Sequence, residues 1–89
     1  MKAVISSMYL SFDIANPHKV LNEFMKDVCN ELGLRALKIR RKYSRNDRAV
    51  LTYYVKGWKE EYLNVLLERV RERFSGKVRV FVRILRYNG

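Results

Sequence analysis

Residues 34–56 read LRALKIRRKYSRNDRAVLTYYVK, and the period of this stretch decides how the rest of the chain is assembled. From Leu34 to Tyr43, Leu37 and Ile39 alternate with Lys38, Arg40 and Lys42, a repeat of two that belongs to a half-exposed strand. Ser44, Arg45, Asn46 and Asp47 supply turn chemistry. Ala49 to Lys56 then brings β-branched and aromatic residues in succession, which predicts a second strand. The stretch reads as a β-hairpin. Its charge is unusual, because six of the eleven residues from 38 to 48 are lysine or arginine.

Working outward, the run VISSMYLSF is apolar and partly alternating and stops at Asp13, which predicts a strand over 3–12. Asn16 is placed as an N-cap with Pro17 at the first helical position, where its missing N–H costs nothing. Val20, Leu21, Phe24, Met25, Val28, Cys29 and Leu32 then form one apolar stripe. Gly33 sits where a left-handed C-cap is wanted. On the far side of the hairpin, Gly57 breaks the strand. Tyr62, Leu63, Leu66, Leu67, Val70 and Phe74 recur at helical spacing until Ser75 and Gly76 stop the second helix. A last strand over 77–87 alternates Val78, Val80, Val82 and Ile84 with Arg79, Phe81, Arg83, Leu85 and Tyr87. The order strand, helix, strand, strand, helix, strand predicts an α+β, ferredoxin-like βαββαβ fold. Its four-stranded antiparallel sheet would carry both helices on one face and leave the other open.

Eighty-nine residues, 48% hydrophobic and 31% charged, suit one domain over 1–89 with a single core. No stretch approaches the roughly 18 apolar residues of a membrane span, and the N-terminal run is too soon interrupted for a signal peptide, so a cytoplasmic protein without membrane contact is expected. One cysteine excludes an internal disulfide and any multi-cysteine metal site, and a single histidine argues against a zinc site built from this chain alone. No cofactor is expected, and metal chemistry would have to rest on carboxylates. The absence of glutamine and the single threonine, beside abundant Lys, Arg and Glu, lean toward a thermophilic source.

The net charge of +10 is not evenly spread. Residues 35–59 hold nine bases and one acid, and residues 76–89 four bases and no acid, while the other two segments are each net −1. A surface built only for solubility gains nothing from such one-sidedness.

If Val78, Val80, Val82 and Ile84 point at the helices, Arg79, Phe81 and Arg83 lie on the open face. With Met8, Leu10 and Phe12 inward, the first strand would show Tyr9 and Ser11. With Leu37 and Ile39 inward, the second would show Lys38, Arg40 and Lys42. With Leu51, Tyr53 and Val55 inward, the third would show Val50, Thr52 and Tyr54. Arg41 is expected near the helix-side rim and Arg45 and Arg48 around the hairpin tip.

Aromatic rings stack on unpaired bases and Lys or Arg neutralise phosphates. The leading expectation is therefore a non-enzymatic nucleic-acid-binding domain, for RNA or DNA. Lys38, Arg40, Arg41, Lys42, Arg45, Arg48, Arg79 and Arg83 would meet phosphate, with Tyr9, Tyr54 and Phe81 stacking. The third strand lacks the glycines of the RNA-recognition consensus and no GXXG loop joins two helices, so binding would be mainly electrostatic. The contrasting expectation is a homodimer that uses the open face or an edge strand.

The stretches DIANPHKVLNEFMKDVCNELGL, RAVLTYYVKG and LLERVRERFSGKVRVFVRIL resemble the ACT domain. That resemblance implies a ferredoxin-like regulatory or dimerisation module that binds a small molecule. ACT domains place a glycine directly after the proline of the first strand-to-helix turn, where this chain has His18. YLSFDI resembles the small CRISPR-associated ferredoxin-like nuclease, which implies that Asp13, paired across a dimer axis, would hold Mg²⁺ for phosphodiester hydrolysis. That family's short second and third strands are not matched by the long hairpin here, and an aspartate at such a turn is ordinarily structural. His18 reads as a surface histidine, Cys29 as a buried, inert thiol, and Trp58 as packing against the start of the second helix.

Overall fold

In the computed structural model, which describes residues 1–11, 13–34, 37–45 and 47–85, six elements follow in the expected order. They are β1 (Lys2–Tyr9), α1 (Pro17–Glu31), β2 (Leu37–Arg45), β3 (Arg48–Lys56), α2 (Tyr62–Phe74) and β4 (Val78–Leu85). Five expectations lie outside the described residues: the inward placing of Phe12 and of the Leu37 side chain, residues 35–36 of the second strand, the Asn46 part of the turn, and residues 86–87 of the last strand.

Local chemistry sets the helix ends. The Asn16 side chain accepts the Lys19 backbone N–H at 3.2 Å and Pro17 opens α1. Gly33 follows α1 with φ at 73°, a conformation open to glycine because it has no Cβ. At the end of α2 the left-handed position falls on Ser75, at φ 47°, with Gly76 next.

All strand pairings are antiparallel and the sheet order is β2-β3-β1-β4, so β1 and β3 are central. This is the ferredoxin-like architecture. One sheet face packs against α1 and α2 through Ala3, Ile5, Tyr9, Ala49, Leu51, Tyr53, Val55 and Val78 on the strands, with Leu21, Phe24, Met25, Val28, Leu66, Val70 and Phe74 on the helices. Phe74 anchors the seam, edge to face with Phe24 at 5.0 Å and with Tyr9 at 6.0 Å. Leu63 and Leu67, expected within the α2 stripe, are exposed instead. Among the described residues no helix is long and apolar enough to cross a membrane.

Two strand-face expectations are corrected. In β1 the inward set is Ala3, Ile5, Ser7 and Tyr9, while Leu10 lies beyond the strand and is exposed. Tyr9 is therefore 4% exposed, under the helices and absent from the open face. Both parities of VISSMYLSF carry apolar residues, and the small Ala3 and Ser7 side chains let the helices lie close. The buried Ser7 hydroxyl is satisfied by donating to the Leu51 carbonyl at 3.2 Å.

In β2 a β-bulge falls between Ile39 and Arg41: Ile39 pairs with Tyr53 and Arg41 with Thr52, which leaves Arg40 as the extra residue. Every side chain after the bulge changes face relative to strict alternation. Lys42 pairs with Leu51 on the helix side, where it lines a recess with His18 and Asn22, whereas Arg41 joins the open face. The strands run to Arg45 and resume at Arg48, so the turn is shorter than the residues 44–47 expected.

Candidate anion-binding face

The register turns the open face into rows that cross all four strands. The central row is Arg41, Thr52, Ser6 and Phe81; on one side lie Lys38, Tyr54, Val4 and Arg83, and on the other Tyr43, Val50, Met8 and Arg79. Neighbouring strands are about 4.8 Å apart, so β2 and β4 stand about 14 Å apart across the middle. The floor between them is low. Ser6 and Thr52 share a hydroxyl hydrogen bond of 3.0 Å, and Thr52 and Val50 are buried. Long side chains rise from the two edge strands. The result is a concavity of about 630 Å³ lined by Val4, Ser6, Arg40, Arg41, Thr52, Phe81, Val82 and Arg83.

The β2 arginines are held by aromatic rings. Arg40 Cζ lies 5.0 Å from the centre of the Tyr54 ring, and Arg41 and Arg45 lie 5.4 and 5.8 Å from that of Tyr43. A ring under a guanidinium restrains an otherwise free side chain while leaving its N–H donors to point elsewhere. Tyr54, expected as a stacking platform, thus has one face occupied by Arg40, and Phe81, on the far side of β1, is the more open ring at 55% exposure against 37%.

Charge is sorted by face. None of the nine acidic residues falls in a strand, whereas Lys2, Lys38, Arg40, Arg41, Lys42, Arg45, Arg48, Lys56, Arg79 and Arg83 all do. By register and ring contact all of these but Lys42 are on the open side. Of them, Arg48 pairs with Asp47 at the hairpin tip, at 3.1 Å. Among the described residues, Arg40, Arg41, Arg79 and Arg83 pair with no carboxylate. The helix side behaves oppositely. Arg69 binds Glu31 at 2.7 Å and Glu72 at 3.2 Å, and Arg73 binds Asp27 at 3.0 Å, so the groove between the helices, lined by these residues and Phe24, is internally neutralised. The Arg69 guanidinium accordingly holds the Glu31 carboxyl below its ordinary range.

The expected site residues therefore divide. Arg40, Arg41, Arg83 and Phe81 meet at the concavity; Lys38, Tyr54 and Arg79 adjoin it, and Arg45 and Arg48 stand at the hairpin end. Tyr9 and Lys42 are elsewhere. Ser6, Thr52 and Tyr43 belong to this face although only Thr52 was expected to show there. Arg40 and Arg41, side by side, share a face only because of the bulge, which the pairing with β3 reveals and the sequence of β2 alone does not.

Asp13 is engaged. Its carboxylate accepts the Tyr9 hydroxyl at 3.2 Å and forms an ion pair with Lys77, whose ammonium is the main cause of a lowered Asp13 pKa, with the Tyr9 hydrogen bond contributing. Burial, with Asp13 beside it, raises the Tyr9 hydroxyl. No group of three or more metal-ligating side chains occurs among the described residues. Cys29 is buried and burial pushes its thiol up to about 11. His18 has a partner, its Nε2 lying 2.9 Å from the Tyr43 carbonyl, which ties α1 to β2. Trp58 is buried edge to face with Tyr62 at 5.6 Å, at the start of α2 as expected.

No family model matches the sequence, and no curated protein matches it. Solved structures do resemble it. One is the apo form of CPII from Thiomonas intermedia, a nitrogen regulatory PII-like protein, with a TM-score of 0.58 and 19% identity over 93% of this chain and 88% of that one. A second is the de novo designed protein Ferredog-Diesel, with a TM-score of 0.53 and 16% identity over 91% and 84%. A third is a formyltetrahydrofolate deformylase from Pseudomonas putida, with a TM-score of 0.55 and 10% identity over 96% of this chain, which spans 29% of that protein. At these identities the likeness is one of fold: ferredoxin-like, with the ACT-like order of elements.

Proposed function

We propose that this protein is a non-enzymatic, ACT-like regulatory module that holds a small anionic molecule on its open sheet face. The observation that carries the reading is the concavity lined by Arg40 and Arg41 from one sheet edge and by Arg83 from the other, with no carboxylate on the floor between them. Uncompensated guanidiniums around a half-dry floor repel one another until an anion arrives, and that difference is binding energy. The ferredoxin-like fold shared with a nitrogen regulatory PII-like protein is in keeping with a regulatory role. Self-association through this face sets cation against cation unless an anion lies between the copies.

A thermal-shift screen of amino acids, carboxylates and phosphates tests the proposal. A ligand at about a hundredfold its Kd adds about 2.7 kcal/mol to the native state, a rise of about 10 °C or more for a domain of this size. Arg83→Ala should reduce the shift. The absence of a shift with every small anion would refute it.

A second reading, nucleic-acid binding, is supported by the bases beyond the concavity, Lys38, Arg45, Arg48 and Arg79, which exceed what a small anion needs. It expects an affinity for oligonucleotide that falls steeply with salt, since each neutralised phosphate releases counterions. Binding that is indifferent to salt would exclude it.

A further inference from the structure

The bulge at Arg40 does more than disturb an edge strand. In regular pleating, consecutive residues point to opposite faces. Here Arg40, the extra residue, lies over Tyr54 while Arg41 occupies the next open-face position over Tyr43, and both line the concavity. Arg83 reaches it from the opposite edge strand. Three guanidiniums present more N–H donors than the two oxygens of a carboxylate accept in good geometry. One carboxylate would also leave about two of the three positive charges unmatched. A phosphate monoester carries about −1.5 to −2 near pH 7 and offers three terminal oxygens. The Ser6 and Thr52 hydroxyls beneath can reorient toward it, and Phe81 forms an exposed apolar wall on the same row.

We infer that the open-face site is a phosphoryl clamp: its ligand is a small phosphate monoester whose ester group is planar and apolar enough to lie on Phe81, and the Arg40 bulge sets the preference for phosphoryl over carboxylate. The inference rests on the small-anion reading and names its ligand class. Three consequences follow. Phenyl phosphate binds more tightly than benzoate by about tenfold or more. Its affinity rises as pH increases through about 6, where the ligand takes its second charge. Lys42, on the same strand but on the helix side, does not take part.

The test is calorimetric titration of the whole protein at fixed ionic strength with phenyl phosphate, inorganic phosphate, benzoate and a short oligothymidylate. The expected result is phenyl phosphate tightest among the small anions. Arg40→Ala, and separately deletion of Arg40, which removes the bulge while leaving the other faces in register, should each weaken phenyl phosphate about tenfold. Arg40→Lys should recover less than half of that loss in log Kd. Phe81→Ala should bring phenyl phosphate down to the level of inorganic phosphate, and Lys42→Ala should change nothing. A cooperative melting transition without ligand confirms that each variant is folded.

Benzoate binding as tightly as phenyl phosphate, with both weakened by Arg40→Ala, overturns the clamp and leaves the small-anion reading standing. Lys42→Ala costing as much as Arg40→Ala overturns the clamp too, since net charge alone would then explain binding. Oligothymidylate binding that phenyl phosphate fails to displace overturns both and leaves nucleic acid. No binding by any probe overturns all three.

Discussion

Tyr9 and Lys42 each sit on the face opposite to the one their sequence neighbourhood suggests, for different reasons. Around Tyr9 the two parities of the strand are nearly equal in apolar content, and the choice fell to Ala3 and Ser7, whose small size suits a surface covered by helices. Around Lys42 the alternation of the strand is reversed by one inserted residue. Asp13 gains a testable consequence from Tyr9's burial. Lys77, and secondarily Tyr9, hold the Asp13 carboxyl below its ordinary range. The stability this contributes is complete above the unfolded pKa, near 4, and is lost as pH falls through the lower folded value. Asp13→Asn should therefore lower the melting temperature at neutral pH by an amount that shrinks on acidification below about pH 4. A gap that stays constant from neutral to about pH 2 would contradict the assignment. Cys29 offers a simpler check. With its thiol buried and raised to about 11, it should react with a disulfide reagent at pH 8 only after denaturant is added.

At the level of elements, helix starts and stops were the most legible features, because each rests on chemistry within one turn. Asn16, Pro17 and Gly33 act where they were expected to. The hairpin was legible as a hairpin, but its bulge was not: a bulge is a property of two strands in register, and the sequence of one strand carries only half of that information. The α2 stop shows how local strain can be tuned. Ser75, not Gly76, takes the first left-handed position, at φ 47°. Ser75→Gly should stabilise the protein by about 0.5–1 kcal/mol, which denaturant titration would resolve as a raised midpoint with unchanged slope. A lowered midpoint would mean that glycine's extra freedom in the unfolded chain outweighs the relief.

For the molecule as a whole, the sheet separates two regimes of charge: matched pairs bridging the helices, and on the uncovered face Arg40, Arg41, Arg79 and Arg83, which pair with no carboxylate among the described residues. The segmental imbalance was plain in the sequence. Its collection onto one surface was not, since it depends on the strand order that puts β2 and β4 at opposite edges. Salt should then act in two directions. Raising NaCl from about 20 mM to about 500 mM should increase the melting temperature of the free protein by screening repulsion among open-face cations, and weaken any anionic ligand. A melting temperature that falls with salt would indicate that the helix-side ion pairs dominate. The core beneath is conventional: Leu66→Ala, at a fully buried α2 position in contact with the sheet layer, should cost about 2–5 kcal/mol.

The single tryptophan has a practical consequence for anyone who studies this protein in a cuvette. Trp58 is 2% exposed, folded into the helix side against Tyr62, with its backbone N–H donated to the Met1 carbonyl at 2.9 Å. Its emission will follow unfolding faithfully and stay silent when something settles on the far face of the sheet. A flat fluorescence titration is therefore compatible with an occupied site and is no evidence that the site is empty.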